Sequence, residues 1–344
     1  MTTANYDATN AANALYGGVI HEDLMNKIWD ISNIPLVLTE AISKGTHTNA
    51  RTEWTEDQRR KGVATNAHVD GVDFDQNDSQ ATTRLGNFTQ TSALEVQLST
   101  RLQASNTIGN NGKLSYQVME RQKELRADVE AQMCSHQGSA AGDGLTIPGI
   151  SAGLGAQIKT NVSLGATGVA GGFNTSTGLF VAPTPGTARA LSETTIRDIL
   201  QDVYVAGGNT DMIMARPPVI RALSTYLFSS TARVATLTAD QSQASPRALT
   251  AYGSVNVFVT DFGQTVRMID NREQLVDATD TSTMYFVDPS HVTQSFLTGY
   301  TVEPLSKTGL SDKRLMFCDY ALKVYSEKSQ GAIYAIDETL AVVA

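Results

Sequence analysis

A chain of 344 residues, 41% hydrophobic and 18% charged, can bury one large core or two lobes. No run approaches the roughly 20 apolar residues that cross a bilayer, and the start Met1-Thr2-Thr3-Ala4-Asn5-Tyr6-Asp7 lacks the basic and apolar parts of a signal peptide, so a cytosolic product with no membrane association is expected. The net charge of −9 excludes the usual nucleic-acid binder, which exchanges counterions on a basic patch, although an acidic protein can enclose DNA that it does not grip.

Residues 1 to about 30 are rich in Ala, Asn and Thr and read as an extended arm. Pro35 then interrupts the denser apolar run from Ile28 to Ile42 and favours extended backbone. From Lys44 to about Thr83 the chain is polar: Arg51, Glu53, Glu56, Asp57, Arg59, Arg60 and Lys61 come first, then Asp70, Asp73, Asp75 and Asp78. With Trp54 and Phe74 as its only aromatics, this stretch shows no core face and is too long for an ordinary loop. It is either disordered or a projecting arm held by contacts outside its own chain.

Lys113 to Ser135 is the clearest helix, with Leu114, Val118, Leu125, Val129 and Met133 on one stripe. Arg126 and Glu130 read as a favourable i,i+4 pair on its surface, Glu120 and Glu124 as an unfavourable one. Residues 138–190 hold much of the glycine and read as a loop-rich insertion with short irregular strands. Leu191 to Val205 follows as a helix opened by Ser192 and closed at Gly207-Gly208. Asp211 to Ala215 is a short strand, and Pro217 starts a helix through Tyr226, which completes a small α/β lobe.

The remainder is β-rich. Val255, Val257 and Val259 alternate, and a turn at Asp261-Phe262-Gly263-Gln264 leads into Val266 to Ile269, together a hairpin. Met284 to Val287 ends at Asp288-Pro289, and Leu315 to Tyr325 places Met316, Cys318, Tyr320, Leu322 and Val324 on one face. Ile333 to Ile336 is expected to pair next to that strand.

Searches for chemistry return little. Gly109-Asn110-Asn111-Gly112-Lys113-Leu114-Ser115 has neither the glycine-to-lysine spacing nor the hydroxyl of a phosphate-binding loop, and Ile158 stands where a dinucleotide fingerprint after Gly153 and Gly155 needs a third glycine. His21, His47, His68, His136 and His291 are too scattered for a metal helix, and Cys134 and Cys318 read as small buried hydrophobes. The reading is of a non-enzyme: no catalytic residue, no cofactor and no metal ligand is expected.

Four segments carry a resemblance when taken in order: Met284-Tyr285-Phe286-Val287-Asp288-Pro289, the turn Leu305-Ser306-Lys307-Thr308-Gly309-Leu310-Ser311-Asp312-Lys313-Arg314, Tyr320 to Val324, and Glu327-Lys328-Ser329-Gln330-Gly331-Ala332-Ile333. Together with Arg84-Leu85-Gly86-Asn87-Phe88-Thr89-Gln90 and Asp211 to Arg221 they resemble the major capsid (major head) proteins of tailed bacteriophages. Ser290-His291 and Leu310 depart from that pattern.

The resemblance implies an α+β chain with the Hong Kong 97-like capsid fold: an N-terminal arm, an extended E-loop hairpin, a peripheral domain with a long spine helix and β-sheet, and an axial α/β domain. The arm maps to 1–40, the E-loop to 41–92 and the first peripheral part to 93–190, with its spine helix at 113–135. The axial domain maps to 191–252 and the β-rich second peripheral part to 253–344. The implied function is a virion structural protein, assembled in the host cytoplasm, whose copies form hexameric and pentameric capsomers of an icosahedral head. It would enclose double-stranded DNA without sequence-specific binding, and its partners would be itself, a portal, and a scaffold or decoration protein. Alternatives are another virion role, in a tail or as decoration, or a cytosolic α/β enzyme. Intersubunit contacts are expected from Arg51, Glu53, Trp54, Glu56, Arg59, Arg60, Lys313 and Arg314; Lys61 is the sole lysine well inside the E-loop, and nothing else supports a covalent cross-link there.

Overall fold

The computed structural model describes residues 35–57, 62–71, 82–105, 113–229, 257–277 and 279–343. In chain order a short helix α1 (Val37–Ala41) leads into β1 (Ser43–Thr46), β2 (Arg51–Glu56), β3 (Thr83–Phe88), β4 (Gln90–Ser99), α2 (Thr100–Ala104) and the long α3 (Lys113–Met133). Next come α4 (Leu154–Gln157), β5 (Val162–Ser163), β6 (Gly172–Asn174), β7 (Leu179–Val181), α5 (Glu193–Ala206), β8 (Met212–Ala215) and α6 (Pro217–Ser229). The chain then forms β9 (Val257–Val259), β10 (Thr265–Asp270), β11 (Ser282–Val287), β12 (Val292–Pro304), β13 (Ser311–Val324) and β14 (Gly331–Ile336).

Two sheets organise these elements. The first runs β1-β12-β13-β4, with β1 parallel to β12 and the rest antiparallel. α3 lies across β4 and β13, because its stripe of Leu125, Val129 and Met133 meets Met316, Cys318, Tyr320 and Leu322, the alternating apolar face of β13. The second sheet runs β5-β14-β11-β8-β10-β9. Every residue of β8, β11 and β14 is buried, since this sheet is covered on both faces. Met212, Met214, Tyr285, Val287, Ala332 and Tyr334 join the core under α3. Ile213, Ala215, Met284, Phe286, Ile333 and Ile336 face α5 and α6 in a second core. Gly207 closes α5 in the left-handed region at φ 98°, where an L side chain is strained.

β14 pairs with β11 and β5, not with β13 as its sequence position suggests. A strand apolar at every position belongs in a doubly covered sheet, whereas alternation suits the one-sided sheet of β13. A bulge corrects its parity: Ala335 takes φ 58°, the register with β11 shifts, and Ile333 and Ile336 thereby share a face. The Arg189 N–H donates to the Ala335 carbonyl at 2.9 Å and holds the bulge in place.

α3 also corrects the surface reading of its charges. Arg126 lies over the Tyr300 ring at 5.3 Å and does not pair with Glu130. Glu120 and Glu124 do not confront each other, because Lys123 and Arg121 take them up. Glu130 is fully buried. Its carboxylate accepts from Leu38 N at 2.6 Å, Thr39 N at 2.9 Å, the Thr39 hydroxyl at 2.6 Å and Asn271 Nδ2 at 3.0 Å. It thus caps α1, whose own N-cap Leu36 has no side chain able to do so. Among the described residues Cys134 and Cys318 are free and buried, as small hydrophobes should be. Cys134 additionally lies 3.4 Å from Asn271 Nδ2.

Just past α3, His136 sits edge-on to Tyr334 at 4.9 Å and its Nε2 is 2.8 Å from the Thr283 hydroxyl. Burial pulls its pKa down to about 4, against a smaller upward pull from Asp277.

Two outcomes are expected. Glu130→Leu strands four donors and should destabilise the unassembled subunit by at least about 3 kcal/mol in urea unfolding; Glu130→Gln, which keeps an acceptor, should fall between it and wild type. For His136 the folded pKa lies below the unfolded value of 6.5, so the neutral ring stabilises fully above that pH, and the contribution is lost as pH falls toward about 4. The loss is on the order of 3 kcal/mol and should be absent from the stability–pH curve of His136→Phe titrated beside wild type.

Candidate functional site

The polar stretch beginning at Lys44 has a core after all. β2 and β3 pair antiparallel from Arg51↔Phe88 to Glu56↔Thr83, and one face of this hairpin root carries Trp54 and Leu85. They pack with Ala152, Ala156 and Phe180 as a third cluster, with Phe173 alongside. Trp54 stacks on Phe180 at 6.2 Å and meets Tyr325 edge-on at 6.4 Å. The Gly-rich segment is therefore the platform on which the hairpin sits, and the burial of Trp54 comes from its own chain. The described part of the hairpin beyond its root, residues 62–71, is exposed at every position.

Hydrogen bonds fix the root. Asn87 is fully buried: its Nδ2 donates to the Leu322 carbonyl at 2.8 Å and Ser151 Oγ at 3.1 Å, and its Oδ1 accepts from Ala152 N and Phe88 N, both at 2.9 Å. Gln90 Oε1 accepts from Gln137 Nε2 and Ser151 N, each at 3.2 Å. His47 joins the two legs at the elbow, with Nδ1 2.8 Å from Ser295 Oγ and Nε2 2.9 Å from Thr89 Oγ1. Burial, then the charge of Lys323, lowers its pKa.

The expected contact residues divide into groups. Arg51 lies over Phe88 at 5.4 Å, donates to the Gly178 carbonyl at 3.2 Å and approaches Glu53 at 3.4 Å, while Glu53 also pairs with Arg84. Gly86 makes room for this cluster, since a Cβ there would stand 2.9 Å from Arg51 Nε. Glu56 is half-buried against the turn at Ser326 and Glu327; burial first, then Glu327, raises its pKa. Arg59, Arg60 and Lys61 lie outside the described residues, as does most of the expected N-terminal arm. In the β12–β13 turn Lys307 pairs with Asp312, and Lys313 pairs with Glu95 at 3.6 Å. Arg314 takes its place between Val96 and Pro304 in the sheet, with no ion pair among the described residues. Sequence reasoning paired Glu130 with Arg126, passed over Gln157 and noted Asn87 only within a motif. The signal that could have flagged Asn87 is a polar side chain inside a strand flanked by Leu85 and Phe88.

Hollows in the surface are open. One of about 710 Å³ lies between α1 and the β8–β10 edge, lined by Val37, Glu40, Asp211 and Arg267. Another of about 700 Å³ is largely apolar, between α6 and the segment 338–342. Among the described residues no three His, Cys, Asp or Glu side chains gather as a metal site, and no helix is long and apolar enough to cross a membrane.

A family model described as SU10 major capsid protein matches residues 1–337. No curated protein matches by sequence. Among solved structures, the capsid of a native GTA particle aligns at TM-score 0.58 and 13% identity, covering 96% of this chain and 100% of that one. A chain of Microbacterium phage Oxtober96 aligns at 0.55 and 13%, covering 92% and 96%. The holo-SrpI encapsulin complex from Synechococcus elongatus PCC 7942 aligns at 0.54 and 10%, covering 93% and 94%. At these identities the likeness shows the fold, the Hong Kong 97-like one of capsids and encapsulins.

Replacing Asn87 with Leu leaves the Ala152 and Phe88 N–H groups and the Leu322 carbonyl without that side chain. A loss of about 2–3 kcal/mol is expected, together with faster amide exchange in β2 and β3 while α3 stays protected. Unchanged exchange in the hairpin would mean that its apolar face alone holds the root.

Proposed function

The chain belongs to the SU10 major capsid protein family, and from that premise we propose that its copies assemble as hexamers and pentamers into an icosahedral head around double-stranded DNA. Capsid formation itself follows from the family, which is a structural one; the match over nearly the whole chain is the observation that carries the reading. The capsomer geometry, the DNA content and the site of assembly in the host cytoplasm are inferences from it. So are the partners beyond other copies: a portal, and a scaffold or decoration protein.

The charge supports enclosure without grip, because a subunit of net charge −9 repels phosphate and leaves packaged DNA free to move. The hairpin supports contact between neighbours. Residues 62–71 are wholly exposed, so ordering them in a shell depends on surfaces that their own subunit does not supply. Arg59, Arg60 and Arg314 are the cations proposed to reach neighbours, with Glu56 and Lys313 at the edges of those contacts. Arg51, Glu53 and Trp54 act there through the hairpin root they build.

The test is negative-stain electron microscopy of the purified protein, expressed alone and with adjoining phage genes. Closed polyhedral shells or ring-like capsomers are expected in at least the second case. Dispersed monomers in both would overturn the reading. Charge reversal of Arg59, Arg60 and Arg314 together should lower shell yield without changing the melting of the free subunit.

A further inference from the structure

Between α3 and α4 the chain makes a loop at residues 142–149 that is fixed far more firmly than its exposure requires. The Asp143 carboxylate accepts from the backbone N–H groups of Leu145, Thr146 and Ile147, each at 2.8 Å, and from the Thr146 hydroxyl at 2.7 Å. Asp143 N donates back to the Ile147 carbonyl at 3.1 Å, and Ala140 and Ile150 bridge below. The neck is close-packed on backbone: a Cβ on Gly142 would stand 2.8 Å from Gly149 N, and one on Gly149 2.7 Å from the Thr89 carbonyl. The loop is thereby seated on the elbow of the β2–β3 hairpin.

What this frame presents is apolar. Leu145 is 92% exposed and Ile147 53%. Beside them a hollow of about 540 Å³ is lined by Ala50, Phe88, Thr89, Pro148 and the loop's glycines. Leu145 stands almost clear of its own subunit and Ile147 is half exposed, yet the backbone beneath them is held by hydrogen bonds, so little backbone entropy remains to be lost on contact. Asp143 is the loop's one charged residue and spends both carboxylate oxygens on the loop's own donors. Copies of a chain with net charge −9 repel each other, so a preorganised apolar patch whose one charge, the Asp143 carboxylate, is bonded back into its own loop is where two of them meet at low electrostatic cost.

We propose that Leu145 and Ile147, together with the hollow beside Phe88, form a contact between copies of this chain in the assembled shell. This rests on the capsid reading above and assigns it a specific apolar surface. Leu145 is the centre of the contact, and the Asp143 turn fixes its direction.

The experiment compares wild type, Leu145→Asp and Leu145→Met, each expressed with the same adjoining genes. It reads the concentration of half-assembly by light scattering and microscopy, and the melting temperature of the free subunit. Leu145→Met should assemble as wild type does. Leu145→Asp should need roughly tenfold more protein or fail to close, with the free subunit melting as before. The proposal is overturned if Leu145→Asp assembles at the wild-type concentration. It is equally overturned if its free subunit melts lower, since Leu145 would then serve its own fold. Failure of wild type to assemble would instead remove the capsid reading on which the proposal stands.

Discussion

Glu130 is where the subunit's separate parts are held in one register. Three segments distant in sequence meet at its carboxylate: the first turn of α1, the last turn of the long helix α3 that carries it, and Asn271 at the exit of β10. Apolar burial draws helices and sheets together without direction. A buried carboxylate is directional and unforgiving, because its desolvation costs several kcal/mol unless its oxygens are met by donors. Four donors meet this one, and Asn271 in turn donates its own N–H to the Ala215 carbonyl at 2.9 Å. Glu130 thereby ties the six-stranded sheet, α3 and α1 together at one point. The Tyr285 hydroxyl adds a second tie, donating to the Cys134 carbonyl at 3.0 Å.

The hairpin root follows the same logic at smaller scale. Trp54, Leu85 and Phe180 supply area, but Ala152 and Ala156 contribute little beyond closeness. The approach needs glycine: a Cβ on Gly153 would stand 2.3 Å from the Ser135 carbonyl. Asn87 and Gln157 then replace strand pairing. Gln157 Nε2 donates to the Leu322 carbonyl at 3.1 Å, and its Oε1 accepts from Val324 N at 3.2 Å. Side-chain amides act here as short pieces of an extra strand along the end of β13.

This explains what was legible in the sequence. The stripe from Leu114 to Met133, the α/β lobe and the alternation of Met316 to Val324 were readable because periodicity reports which face meets a core. Glu130 was not, since a glutamate four residues from an arginine on an amphipathic helix reads as a solvated pair, and its true partners lie 91 and 141 residues away. The root of the hairpin escaped for a related reason. Its apolar residues are few and its platform is a Gly-rich stretch whose sequence signals only loop. β14 was placed in the wrong sheet because neighbouring strands in sequence usually pair, while its all-apolar pattern, the better guide, was not weighed. The expected contact residues were chosen for their charge, which does not distinguish Arg51, engaged within its own subunit, from Arg314, which has no ion pair among the described residues.

A shell protein has to keep two kinds of order apart. What must be rigid before assembly is bonded within the subunit, as at Glu130 and Asn87, so that each copy presents the same surface to its neighbours. Residues 62–71, by contrast, are exposed at every position. The hairpin root ends at Glu56, where half-burial first and the facing Glu327 second raise the carboxyl's pKa. Ionising Glu56 weakens that contact, and protonating it strengthens the seat of the hairpin. The described root thus ends beside a neighbouring carboxylate, whereas the sites at Glu130 and Asn87 are filled by donors and acceptors of their own subunit.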